Sequence, residues 1–146
     1  MASKRRQVKV MVAGAFDILH PGHLSFFAQA RRLGNYLVVI VARDATVSRV
    51  KRHTAFFSEQ ERLEMVSSLR QVDKAMLGTR GNILRSVLRE KPQVVALGYD
   101  QEKTVAELKS ELAALGFHRV KIVKLRPHKP NKFKSTNVKK FLLGSL

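Results

Sequence analysis

Along the chain, short apolar runs alternate with stretches in which apolar residues recur every three or four positions. Residues 8–13 form a β-branched run that ends at Gly14, which predicts a buried strand. Pro21 opens a helix at its first turn, where a missing N–H costs nothing. Leu24, Phe27, Ala28 and Ala30 continue that helix, and Gly34 stops it. Residues 36–42 are continuously apolar, as in a strand covered on both faces. Residues 43–57 are expected as a loop with a short helical start. Ser58 and Glu61 form a capping box that opens a helix with Leu63, Val66 and Leu69 on its apolar face. A third strand is expected over 72–77. A helix follows over 82–90, with Ile83, Val87 and Leu88 inward, and is broken at Lys91-Pro92. Then come a strand over 94–98, a helix over 103–115 carrying Leu108, Leu112 and Leu115, a strand over 120–125 and a last helix over 135–143.

Strands and helices thus alternate with short connections. That order predicts α/β architecture: one doubly wound domain over 1–146, with a five-stranded parallel sheet and helices on both faces. Ligands of such sheets bind outside the carboxyl ends of the strands, where the strand order reverses. The loops after the strands are therefore the places to look for chemistry.

Composition narrows that chemistry. The 146 residues contain no Cys, which excludes disulfides, thiolate metal sites and Cys nucleophiles and suits the cytoplasm. No run approaches the 18–20 apolar residues of a membrane span. The basic tip with Lys4, Arg5, Arg6 and Lys9 leads into a short strand, unlike a signal peptide. Lys plus Arg total 28 against 11 Asp plus Glu, a net charge of +17. Such an excess favours polyanionic partners. Aromatic residues make up only 7%, and no groove-reading or stacking motif is visible, so specific nucleic-acid recognition is not expected.

The strand-one turn carries the strongest candidates. Gly14, Ala15, Phe16 and Asp17 lead to His20-Pro21-Gly22-His23 at a helix mouth, where free N–H groups and the helix dipole favour an anion. Two His donors there can bind a phosphate and stabilise charge developing on it. As a metal site the pair has only Asp17 nearby, and no metal ligand is assigned. Ser135 and Thr136 begin the last helix behind Lys132 and Lys134, and can hold phosphates in the same way. Arg49, Lys51, Arg52 and His53 follow strand two, where Lys51 can act as a triphosphate clamp. At the end of strand four, Tyr99 can stack on a ring, and Asp100 can accept from a ribose or base or hold Mg²⁺. Gln101 and, on the capped helix, Arg62 are weaker substrate-binding candidates.

The 14–23 segment resembles the GTFD…HxGH signature of the nucleotidylyltransferase superfamily, the cytidylyltransferase-like proteins. The resemblance implies a Rossmann-like fold, and His20 and His23 on the triphosphate. Ala15 stands where the family carries Thr, and Lys134 where it carries Ile before the Ser-Thr pair. Residues 41–44, 58–66, 72–78, 96–101 and 134–136 resemble archaeal FAD synthetases. That likeness implies conversion of FMN and ATP to FAD and pyrophosphate with Mg²⁺ on the phosphates. A cytidylyltransferase acting on CTP and glycerol 3-phosphate or a similar phosphorylated alcohol shares the same triphosphate-binding elements and stays open at this point, as does a homodimer.

Overall fold

The structure is a computed structural model and describes residues 5–79, 82–101 and 103–144. Its elements run β1 (Lys9–Gly14), α1 (Pro21–Arg31), β2 (Tyr36–Val41), α2 (Asp44–Lys51), α3 (Glu59–Ser67), β3 (Lys74–Leu77), α4 (Ile83–Glu90), β4 (Val94–Leu97), α5 (Val105–Ala114), β5 (Lys121–Lys124) and α6 (Ser135–Gly144). The sheet is parallel throughout, in the order β3-β2-β1-β4-β5. Strand order therefore reverses between β1 and β4, and a crevice opens above that pair.

The two-residue period of the strands sorts the core into two layers. Val10, Val12, Val39 and Val41 pack under α1 and α3 with Phe27, Ala30 and Val66. Met11, Val38 and Ile40 pack on the other face under α4 and α5 with Val87, Leu108 and Leu112. Both faces of β2 are buried, as its unbroken apolar run predicts.

The main departure from the sequence pattern is α2. Residues 44–51 are a helix rather than a loop, because only Val47 is buried and the basic cluster hides the period. Charge supports it: Asp44 lies in its first turn, and Arg49 and Lys51 lie in its last. Leu115 caps α5 and stays half-exposed rather than joining Leu108 and Leu112. Arg5 and Arg6 are exposed just before β1, at the end of the sheet opposite the crevice, whereas Lys4 lies outside the described residues.

Candidate active site

A cavity of about 480 Å³ occupies the crevice, a volume suited to a nucleotide-sized ligand. Gly14, Ala15, Phe16, His20, His23, Lys51, Tyr99, Asp100, Gln101, Ser135 and Thr136 all line it, so the fold brings these candidates together.

The two histidines build their own helix start. His20 is the N-cap of α1 in extended conformation, and its Nδ1 accepts from Gly22 N–H at 3.0 Å. His23 Nδ1 accepts from His20 N–H at 3.2 Å. This is a capping box made from two imidazoles, where Ser or Thr with Glu or Gln is usual. Because Nδ1 accepts in each ring, the proton of each neutral ring sits on Nε2, the nitrogen left to serve a ligand. The rings stack with centroids 3.9 Å apart. Burial pushes the His20 pKa down. Burial, and then the neighbouring His20 and Lys51, push His23 down to about 3 against the pull of Asp17. Both rings are thus neutral N–H donors at pH 7, at the start of a helix whose own first amides are already paired within the turn.

Close packing explains the glycines around them. A Cβ on Gly22 would lie 2.7 Å from His20 Cε1 and 2.9 Å from the Phe133 carbonyl oxygen, so the residue between the histidines has no room for a side chain. A Cβ on Gly14 would lie 2.8 Å from Phe16 Cζ. Phe16 itself takes a left-handed φ of 52°. Its buried ring, set edge-on to His23 at 5.7 Å and packed on Phe27, holds that strained turn in place.

The opposite wall comes from the β5–α6 loop. Ser135 Oγ donates to the Ile18 carbonyl at 3.4 Å, which ties α6 to the histidine turn. The first intrahelical bond of α6 runs from Val138 N–H to the Lys134 carbonyl, so the amides of Ser135, Thr136 and Asn137 lack helical partners. Phe133 stacks between His20 at 6.4 Å and His128 at 5.7 Å, and Lys134 Nζ lies 5.4 Å from the Tyr99 ring centre.

Residues 11–141 match the family model described as cytidylyltransferase-like. The chain belongs to the cytidylyltransferase-like family. The FAD synthase of Thermoplasma volcanium is 40% identical over 136 residues, covering 93% of this chain and 94% of that one. The FAD synthase of Aciduliprofundum boonei is 45% identical over 121 residues, covering 83% and 80%. A crystal structure described as the lipopolysaccharide core biosynthesis protein of Thermoplasma volcanium superposes with a TM-score of 0.81 at 41% identity, covering 85% of this chain and all of that one.

Within this cytidylyltransferase-like fold, some of the expected ligand contacts do other work. Arg62 is fully buried. Its guanidinium donates to the carbonyls of Ala15 and Ala42 at 2.7 Å and of Phe57 at 3.1 Å, and pairs with Asp44 at 2.7 Å. It joins the ends of β1 and β2 to the starts of α2 and α3, and has no face toward substrate. Asp17 is also buried and lies outside the cavity lining. It accepts from the N–H groups of Phe56 and Phe57 at 2.9 and 3.0 Å and from Lys139 at 3.2 Å. Burial raises its pKa, but these donors outweigh that and hold it below the ordinary value. Gln101 reaches the cavity yet uses its amide to bridge Gly98 N–H and the Ala13 carbonyl, splicing β4 to β1. Of the basic cluster after β2, only Lys51 lines the cavity; Arg49, Arg52 and His53 do not.

Sequence reasoning missed Arg126, His128 and Phe133, which do line it. A lone Phe between Lys132 and Lys134 in a polar loop was the available signal. Gln29 was missed as well: its amide donates to the Arg126 carbonyl and accepts from the Arg126 N–H, both at 2.9 Å, and so pins the loop to α1.

Proposed function

We propose that this chain is an FMN adenylyltransferase, an FAD synthase that converts FMN and ATP to FAD and pyrophosphate. The observation that carries the reading is the His20/His23 pair, two neutral N–H donors at a helix N-terminus inside a nucleotide-sized cavity. The choice of FMN and ATP is supported by the FAD synthases that match at 40% and 45% identity over most of both chains. An oxygen of the FMN phosphate attacks the α-phosphorus of ATP, the α–β bridging bond breaks, and pyrophosphate leaves with the bond's electron pair. No covalent enzyme intermediate is required, so catalysis consists of positioning and charge stabilisation.

In this reading the Nε2–H groups of His20 and His23 hold the phosphates as charge shifts toward the leaving group. The turn at Gly14, Ala15 and Phe16, which lines the cavity, receives the same anion in this reading. Lys51, Ser135 and Thr136 receive the leaving pyrophosphate from two sides. Tyr99 and Asp100 receive the ring and sugar portions of a nucleotide. Asp17, Gln101 and Arg62 keep the turn in shape. Among the described residues no group of three or more His, Asp or Glu side chains gathers into a metal cage. The cavity therefore fits a divalent cation bound mainly by substrate oxygens and water, with Asp100 as the carboxylate lining it. Bound there, Mg²⁺ would neutralise charge on the departing phosphates. No helix among the described residues is long and apolar enough to cross a membrane. The compartment we assign is the cytoplasm, where soluble ATP and FMN meet.

The test is a pairwise assay with Mg²⁺, in which ATP or CTP is combined with FMN or glycerol 3-phosphate. FAD and pyrophosphate should appear in equal amounts from ATP and FMN. A CDP-alcohol formed from CTP, with no FAD under saturating FMN and ATP, would reassign the substrates.

A further inference from the structure

The cation excess is concentrated at one edge of the molecule. Residues 112–146 hold nine Lys or Arg and no Asp or Glu, so all 11 acidic groups lie in the preceding part of the chain. Among the cations of the preceding part, several have carboxylate partners: Lys9 and Lys74 on Glu90, Arg31 on Asp73, Arg43 on Glu59 and Lys103 on Glu111. Arg119, Lys121, Lys124, Arg126, Lys129 and Lys132 are all exposed, and none has a carboxylate partner among the described residues.

Topology arranges these groups along one sheet edge, with Lys121 and Lys124 on opposite faces of it because they are three positions apart. β5 is an outer strand of the sheet, paired with β4, and Lys121 and Lys124 stand at its two ends. Arg119 precedes it by two residues and Arg126 follows it by two. At about 3.3 Å per extended residue, Arg119 to Arg126 spans roughly 20 Å, long enough to face several successive phosphates of a polynucleotide. Arg119, Lys121 and Lys124 do not line the catalytic cavity, so binding ATP and FMN gives them no role. Like charges along one edge repel one another and destabilise the fold, and an extended polyanion removes that repulsion.

We propose that the β5 edge, from Arg119 through the 126–132 loop, binds the phosphodiester backbone of nucleic acid. Residues 118–132 contain no Phe, Tyr or Trp, and the His128 ring is already stacked on Phe133, so the edge offers little for base stacking. Contact is therefore made to phosphates alone, without sequence preference, and single strands and duplexes are both accepted. This inference is independent of the catalytic reading, because Arg119, Lys121 and Lys124 lie outside the cavity, and Arg126 alone of the six exposed cations lines it.

The experiment is fluorescence anisotropy with a labelled RNA strand and a labelled DNA duplex, each of about 20 units, in 50–300 mM KCl, with FAD synthesis measured on the same samples. Both probes should bind at 50 mM KCl with micromolar dissociation constants, in the range typical of binding through phosphates alone. Combining Arg119→Gln, Lys121→Gln and Lys124→Gln should weaken binding at least tenfold at 100 mM KCl. It should also lower the slope of log affinity against log salt by about 2–3, at about 0.9 for each phosphate no longer neutralised. Circular dichroism and turnover should stay unchanged. A charge-matched variant, Arg70→Gln with Arg85→Gln and Arg89→Gln, removes cations from α4 and from the turn before β3, and should change affinity less than about twofold. No binding at 50 mM KCl, equal weakening by the two triple variants, or binding of only one of the two probes would each overturn the proposal.

Discussion

The two ends of the parallel sheet use charge in opposite ways. At the amino ends of β1, β3 and β4, carboxylates and side-chain amides are answered from within the chain. Glu90, on the last turn of α4, accepts from Lys74 at 2.9 Å and Lys9 at 3.4 Å. Asp73 accepts from Leu37 N–H at 2.7 Å and pairs with Arg31 at 2.8 Å. Asn35 accepts from the N–H of Val8, just before β1, and Gln93 from that of Lys9. At the carboxyl ends, carboxylates are present but turned into the frame: Asp17 toward Phe56, Phe57 and Lys139, and Asp44 toward Arg62. Apart from Asp100, the cavity wall is left to ring N–H groups, the first amides of α6 and cations such as Lys51 and Lys134. The same strand pattern builds both ends. What distinguishes the two ends is where the negative groups are used.

The strongest way to break this contrast is to remove the donors. His20→Ala and His23→Ala should each lower kcat about 10²–10³-fold, or ~3–4 kcal/mol, with the circular dichroism spectrum intact and a smaller change in KM. Unchanged turnover in both would remove the basis for the catalytic end. Arg62→Met should act on the frame instead. It strands three carbonyls and a carboxylate and should cost about 3–5 kcal/mol in urea unfolding. A midpoint equal to the parent's would show that the hub is dispensable.

The amino end should respond differently. Glu90→Gln should lower stability by about 1–3 kcal/mol while leaving kcat per folded molecule unchanged. Burial raises the pKa of Glu90, but Lys74 and Lys9 outweigh it and hold the carboxyl below its ordinary value. Its contribution is therefore complete above the unfolded-state pKa and disappears as pH falls through the lower native value. The parent's urea midpoint should fall more steeply below about pH 4.5 than that of Glu90→Gln. His23 adds an acid-side loss at the other end. The unfolded ring takes up a proton below about pH 6.5, whereas the native ring resists until about 3, so stability declines as pH falls across that window. Replacing His23 with Ala should flatten this part of the profile, and an unaltered profile would contradict the buried, neutral ring.

The smallest expected effect sharpens the contrast within the working end. Lys51→Gln should raise KM for ATP severalfold and flatten its salt dependence, because a cation at the cavity wall steers the triphosphate. Arg52→Gln should do less, since Arg52 lies outside the wall. Equal effects would mean that net charge alone matters.

These contrasts also mark how far the sequence can be read. The strands are legible because a two-residue period on a doubly covered sheet leaves almost no choice of residue type. The α3 and histidine turns are legible because a capping box and a Pro-Gly between two His are local signals. Arg62 is not, because a buried Arg and a solvated one look alike on a helix until the carbonyls it serves are known. Asp17 reads as a ligand because its partners, Phe56, Phe57 and Lys139, are brought to it only by tertiary structure. Gln29 and Phe133 escape for the same reason: one acts across 97 residues and the other through a loop with no period.

The most direct test of the division between the two ends is backbone amide NMR on the full chain, titrated with the non-reactive α,β-methylene analogue of ATP and Mg²⁺, then with FMN. The account predicts the largest shifts at residues 14–23, around Lys51, at 98–101 and at 133–137, with Lys9, Lys74, Glu90 and Gln93 unmoved. Shifts centred on the amino ends of the strands, or spread evenly along the cationic surface, would contradict it.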